Sequence, residues 1–128
     1  MAVVIHLHKT SIDRLGGVDG ILNLSYLASA VAQPMASFGG VEANPSLVDK
    51  AAAYAYHIIN AHAFRDGNKR AGMLAAIVFL DLNGFFLDLT ADEIETVGNR
   101  VARNELSKSE LSDFLTERLE PKSDQDTP

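Results

Sequence analysis

The chain of 128 residues contains no cysteine. Disulfides and thiolate chemistry are therefore excluded, and a reducing compartment is allowed. It also lacks an excess of cations: 11 Lys and Arg stand against 17 Asp and Glu, a net charge of −6. That balance argues against direct nucleic acid binding, which needs a basic surface along the phosphate backbone. A long apolar run is missing too. The longest, 71–80, ends at Asp81, far short of the roughly 20 residues that span a bilayer. The opening Met1–His8 has no cationic region before an apolar stretch, so no secretory signal is read. No internal repeat and no sustained strand-period alternation occur. The expectation is a cytoplasmic, soluble chain without membrane partners.

What is present suits one globular domain. Hydrophobic residues make up 47%, and a chain of this length buries a core without covalent staples. Val4, Leu7, Ile12 and Leu15 recur at helical spacing before Gly16-Gly17 stops them. Asn23 suits the N-cap of a second helix through Leu27 and Val31. The segment 34–45 holds Pro34, Gly39, Gly40 and Pro45, and reads as an exposed loop or small hairpin. Ser46 with Asp49 opens a helix over 47–61 whose alanines give it faces for close packing. Asp66 or Asn68 starts the next helix, up to Leu82, which is apolar nearly all round and belongs at the centre of the domain. Asn83-Gly84 ends it. Thr90 with Glu93, and Ser107 with Glu110, are capping-box patterns. They open helices through Ile94, Val97, Val101 and Leu106, and through Leu111, Phe114, Leu115 and Leu119. The expected fold is all-α, about six helices around the 73–80 core helix, with the domain over 1–119 and a polar, disordered tail over 120–128.

Chemistry concentrates in His62-Ala63-Phe64-Arg65-Asp66-Gly67-Asn68-Lys69-Arg70, between two helices. Helix N-termini carry partial positive charge and unpaired N–H groups. Lys69 and Arg70 in a first turn are unfavourable there unless an anion sits between them. Gly67 permits a tight turn and close approach of backbone to a ligand. Amides plus two cations make a phosphate site, and Asp66 beside it is a hard ligand for Mg²⁺. His62 is a candidate general base. The set fits phosphoryl or nucleotidyl transfer. Without a ligand, the same residues read as a solvated loop with a cap at Asp66 or Asn68.

Other templates fail. Asn68 separates Gly67 from Lys69, which breaks the P-loop ending, and no Glu lies between His57 and His62 in the zinc-protease spacing. No Gly-x-Ser-x-Gly elbow occurs. His6 and His8 are read as surface or capping residues.

The segment resembles the signature of the Fic/Doc superfamily: His, any residue, Phe, any residue, Asp or Asn, Gly or Ala, Asn, then Gly-Arg in Fic proteins or Lys-Arg in Doc (death-on-curing) proteins. His62, Phe64, Asp66, Gly67, Asn68, Lys69 and Arg70 match the Doc form. The resemblance extends over about 4–118, including Gly16-Gly17, Phe38-Gly39 and Asn83-Gly84. It implies a Fic-like all-α core and a toxin of a toxin–antitoxin pair. The implied reaction transfers the ATP γ-phosphate to a threonine of elongation factor Tu and blocks translation. The alternatives are adenylylation of a protein hydroxyl and a catalytically silent antitoxin-binding module. Lys69 in place of Gly, and Met73 where adenylylating members carry a second Arg, favour the kinase. By resemblance His62 deprotonates the acceptor, Asp66 holds Mg²⁺, Gly67 and Asn68 shape the phosphate loop, Lys69 and Arg70 neutralise phosphate charge, and Phe64 anchors the loop. Arg65 is a solvated position. The 34–45 loop corresponds to the place that aligns the target peptide. The autoinhibitory pattern of many Fic proteins, Ser or Thr, three residues, then Glu with Gly or Asn, is absent, so the inhibitory element is expected from an antitoxin in trans.

Overall fold

A computed structural model describes residues 1–122. Among them are six α-helices: α1 (Ala2–Leu15), α2 (Leu24–Ala32), α3 (Leu47–Ala61), α4 (Asn68–Leu82), α5 (Ala91–Ala102) and α6 (Lys108–Arg118). The all-α expectation holds. None of the helices is long and apolar enough to cross a membrane.

α3 and α4 form the central pair. They approach closely because their facing residues are small: Ala51, Ala52 and Ala55 on α3, and Ala71, Gly72 and Ala76 on α4, are buried. A Cβ on Gly72 would stand 2.7 Å from Ile59 Cγ1 and 2.9 Å from the Ala55 carbonyl oxygen. One side of the pair carries a core with α5 and α6, built on Ile59, Met73, Leu80, Val97, Val101, Leu111 and Leu115. The other side carries a core with α1 and α2, built on Val4, Leu27, Ile58, Phe64 and Ala75. The pair is therefore a wall between two layers, and it carries the loop 62–67 at one end.

Reciprocal capping boxes at Ser46/Asp49, Thr90/Glu93 and Ser107/Glu110 fix the starts of α3, α5 and α6. Asn23 caps α2 by accepting the Tyr26 amide at 3.0 Å. α4 differs. Its N-cap is Gly67, and no side chain caps it, neither Asp66 nor Asn68. α5 ends at Ala102, before Leu106, because Asn104 turns left-handed at φ 60°; Leu106 is buried beyond the helix end.

The 34–45 segment contains a small hairpin, β1 (Ser37–Phe38) paired antiparallel with β2 (Val41–Glu42). A second pairing, β3 (Phe85–Leu87) with β4 (Leu119–Pro121), has no counterpart in the periodicity analysis. Three-residue strands are too short for a period-two pattern to register. The first residues of the tail expected from Glu120 are therefore not disordered. Glu120 and Pro121 lie in β4, and the Lys122 amide donates to the Gly84 carbonyl at 2.9 Å. The rest of that tail, 123–128, lies outside the described residues.

Candidate active site

α3 ends in a left-handed residue, His62, at φ 48° and ψ 40°. That turn leaves the imidazole exposed rather than in the core. A non-glycine residue in this region is uncommon and needs its surroundings to hold it. Those surroundings are specific. Ala63 and Phe64 turn inward and are buried. The Leu22 and Asn23 amides donate to the Ala63 carbonyl at 2.7 and 3.2 Å, and the Arg65 amide donates to Gly20 at 2.9 Å. Asn68 closes the loop by accepting the Phe64 N–H and donating from Nδ2 to the Phe64 carbonyl, both at 3.0 Å. Arg65 stays exposed.

His8 is no surface residue. It is 1% exposed, and its ring stacks on Phe64 with centroids 3.7 Å apart and planes 10° from parallel. Its Nε2 lies 2.6 Å from the Asp66 carbonyl oxygen. A carbonyl only accepts, so Nε2 carries the proton. Val4 and Ile12, one turn either side, place His8 on the buried stripe of α1, a signal that the surface or capping reading passed over. Phe64 and the Asp66 carbonyl complete its burial.

Gly67 adopts φ 77°. A Cβ there would meet Ile12 Cδ1 at 3.2 Å and the His8 ring at 3.4 Å. Its glycine is required by α1 closing in from the protein side, as well as by its φ; the expected approach of a ligand is not what fills that space. Asp66 Oδ1 accepts the Gly67 N–H at 2.8 Å, and Oδ2 accepts the Val18 N–H at 3.3 Å. The Gly67 bond first, the Val18 bond next and the Arg70 charge behind them hold this carboxyl below the usual aspartate range. Gly17, read from sequence only as a helix stop, is part of this arrangement. Its Cβ would stand 2.8 Å from Asp66 Oδ2.

Both cations are placed by polar contacts that leave donors free. Arg70 donates from Nη1 to Ser11 at 3.3 Å and from Nη2 to Gly16 at 2.8 Å, both carbonyls of the α1 end. The rest of the guanidinium fork remains available. Lys69 Nζ donates to Asn99 Oδ1 of α5 at 2.8 Å. α5 reaches this close because Gly98 faces Lys69 Cβ, 3.3 Å from where a Cβ would be.

Asp66, Gly67, Lys69 and Arg70 line one cleft of about 590 Å³ at the uncapped N-terminus of α4. Its other walls are Leu15, Leu74, Ala91, Ile94, Glu95 and Asn99. His62 and the Asn68 side chain lie outside this lining, His62 at the exposed end of α3 and Asn68 bracketing Phe64. Such a site offers amide donors, two cations and an ionised carboxylate to a phosphorylated ligand.

The Fic/DOC family model matches residues 1–80, more than half of the chain and all of the loop just described. The chain belongs to the Fic/Doc family. It is 43% identical over 89 residues to the Toxin Doc of Mycolicibacterium smegmatis, covering 68% of each chain. It is 28% identical over 112 residues to the Protein kinase doc of Escherichia phage P1, covering 88% of this chain and 87% of that one.

In this Fic/Doc chain, Met73 is 1% exposed in the α3–α6 core, so its position contributes no charge to the cleft. Sequence reasoning missed the α5 wall. A signal existed: Ala91, Glu95 and Asn99 follow at four-residue intervals after the Thr90 cap, which puts them on one helix face.

Proposed function

We propose that this Fic/Doc protein is a Doc-like toxin and protein kinase that transfers the ATP γ-phosphate to a threonine of elongation factor Tu, and that an antitoxin in trans restrains it. The observation that carries the reading is the cleft at the α4 N-terminus, where Asp66, Lys69 and Arg70 converge on open backbone amides. The relative named a protein kinase supports the reaction type.

In this reading the triphosphate lies against the Asn68, Lys69 and Arg70 amides, and the two side-chain cations spread the charge of the transferring group. His62 takes the proton of the threonine hydroxyl. The freed oxygen forms the new bond to the γ-phosphorus, the bond from that phosphorus to the β–γ bridging oxygen breaks, and ADP leaves. The left-handed turn at His62 keeps its ring exposed, where an acceptor on another protein can reach it.

Asp66 fits Mg²⁺. It is an exposed carboxylate held ionised by two backbone N–H groups, and each oxygen retains acceptor capacity. No cluster of three or more ligating side chains exists among the described residues. That suits an ion held by one carboxylate and by phosphate oxygens, which neutralises charge there when bound. Lys69 favours transfer of the terminal phosphate over adenylylation, because it brings a side chain and a charge to the cleft where adenylylating members carry Gly.

The test is incubation of the purified chain with elongation factor Tu and ATP labelled at either the γ- or the α-phosphate. Label from the γ position, lost in a His62→Ala variant that keeps its helical circular dichroism, is the expected result. Label from the α position alone refutes the kinase. Toxicity undiminished in His62→Ala cells would leave only an antitoxin-binding module.

A further inference from the structure

The cleft is larger and less uniformly cationic than a triphosphate needs. Pockets for whole small molecules run from about 300 to 1,000 Å³, and this one holds about 590 Å³. Its chemistry changes along its length. Lys69 and Arg70 of α4 lie at one end, and Leu74 lies one turn on from Arg70. The Lys69–Asn99 hydrogen bond sets the register of the opposite wall. From Asn99, α5 runs away from the cations through Glu95 and then Ala91, each step four residues and roughly 6 Å. Leu74 and Ile94 lie at about the Glu95 level, and Ala91, one turn further, gives that wall its apolar end.

Glu95 stands between these two ends. It is exposed to the cleft, and none of the ion pairs among the described residues includes it. A carboxylate a single turn from the Lys69 level repels any phosphate placed beside it. It accepts hydrogen bonds and donates none when ionised. A ligand that satisfies both ends carries its phosphates on the cation side, paired hydroxyl donors in the middle and a flat apolar group beyond. A ribonucleoside polyphosphate has that order.

We infer that Glu95 binds the ribose hydroxyls of the nucleotide whose phosphates lie against Lys69 and Arg70. This rests on the reading of the cleft as an ATP site, and it adds the nucleoside half. The Leu74, Ala91 and Ile94 surfaces receive the base. Glu95 thus selects a ribonucleotide over its dideoxy form.

Dissociation constants for ATP, 2′,3′-dideoxy-ATP and inorganic tripolyphosphate, measured in magnesium buffer on the wild-type chain, Glu95→Gln and Glu95→Ala, test this. Glu95 is exposed, so neither substitution threatens the fold. A hydrogen bond to a charged group corresponds to roughly tenfold or more in affinity. Wild type is expected to bind ATP at least tenfold more tightly than the dideoxy analogue. Glu95→Ala loses that preference, and its tripolyphosphate affinity does not fall. The inference is overturned if wild type binds ATP and the variants bind it equally well, or if Glu95→Ala weakens ATP and tripolyphosphate alike. Should wild type bind neither ATP nor tripolyphosphate, the phosphate-transfer reading itself falls, and Glu95 with it.

Discussion

The buried His8 gives the sharpest test of how the loop is held. His8→Ala removes three things. The stack on Phe64 contributes about 0.5–1.5 kcal/mol beyond its area. The bond to the Asp66 carbonyl leaves a part-buried acceptor without its donor, at about 1–3 kcal/mol. The lost ring also leaves a void between α1 and the loop, since His8 is 1% exposed. Together these amount to about 3 kcal/mol, or a fall in Tm of roughly 10 °C for a domain of this size. His8→Phe separates the contributions: it keeps the ring and loses the donor, and is expected to cost about 1 kcal/mol. Thermal unfolding of the three proteins decides the matter. If His8→Ala melted within about 0.5 kcal/mol of wild type, the cost typical of a surface change, the loop would not rest on α1 as described.

Other outcomes follow from the same structure. Gly72→Ala places a Cβ against Ile59 and the Ala55 carbonyl; overpacking of about 1–3 kcal/mol exceeds the helix-propensity gain of about 1 kcal/mol, so denaturant midpoints should fall. A rise would mean that α3 and α4 sit further apart. Lys50 is buried and donates from Nζ to Glu42 Oε1 at 3.1 Å and to the Asn44 carbonyl at 2.5 Å. Two-residue strands are marginal alone, so Lys50→Met should speed amide exchange at Ala43, whose N–H donates to Ala36, while helix amides keep their protection. His57 Nε2 is buried without a partner, and burial first, then the Lys108 charge, push its pKa below 6.5. The unfolded chain therefore takes up the proton first as pH falls, and stability declines from about pH 6.5 downward. A His57→Leu variant should show a flatter Tm in the window above the carboxylate range; an unchanged slope refutes the assignment.

The helix framework was legible in the sequence because its signals are local. Ser46, Thr90 and Ser107 each sit three residues before the acid that completes the box, and Asn23 caps α2 within its own turn. The features that escaped depend on contacts distant in the chain. β4 exists only because β3 lies beside it. His8 lies on the Val4–Ile12 stripe of α1, but the Phe64 ring it stacks on arrives from 56 positions later. Gly17 and Gly67 are fixed by what crosses them, Asp66 and α1, rather than by their own turns alone. Within the motif, Asn68 shapes the loop by gripping Phe64, a contact that no spacing rule indicates.

The cleft has two origins in the chain, and they imply different constraints. The end proposed to face phosphate comes from 66–70, where Asp66 is bound by Gly67 and Val18, and Arg70 by Ser11 and Gly16. A substitution there disturbs several contacts at once, so this end has little freedom to change while the chemistry is kept. The opposite wall is one face of α5, joined to the first by the Lys69–Asn99 bond and the close approach at Gly98. Residues on that face, Ala91 and Glu95 above all, project into the cleft without bracing the loop. They can vary in size and charge at little cost to stability. Selectivity for what lies beyond the phosphates is therefore expected to reside on α5, and transfer itself in the loop that His8 and Asn68 hold rigid.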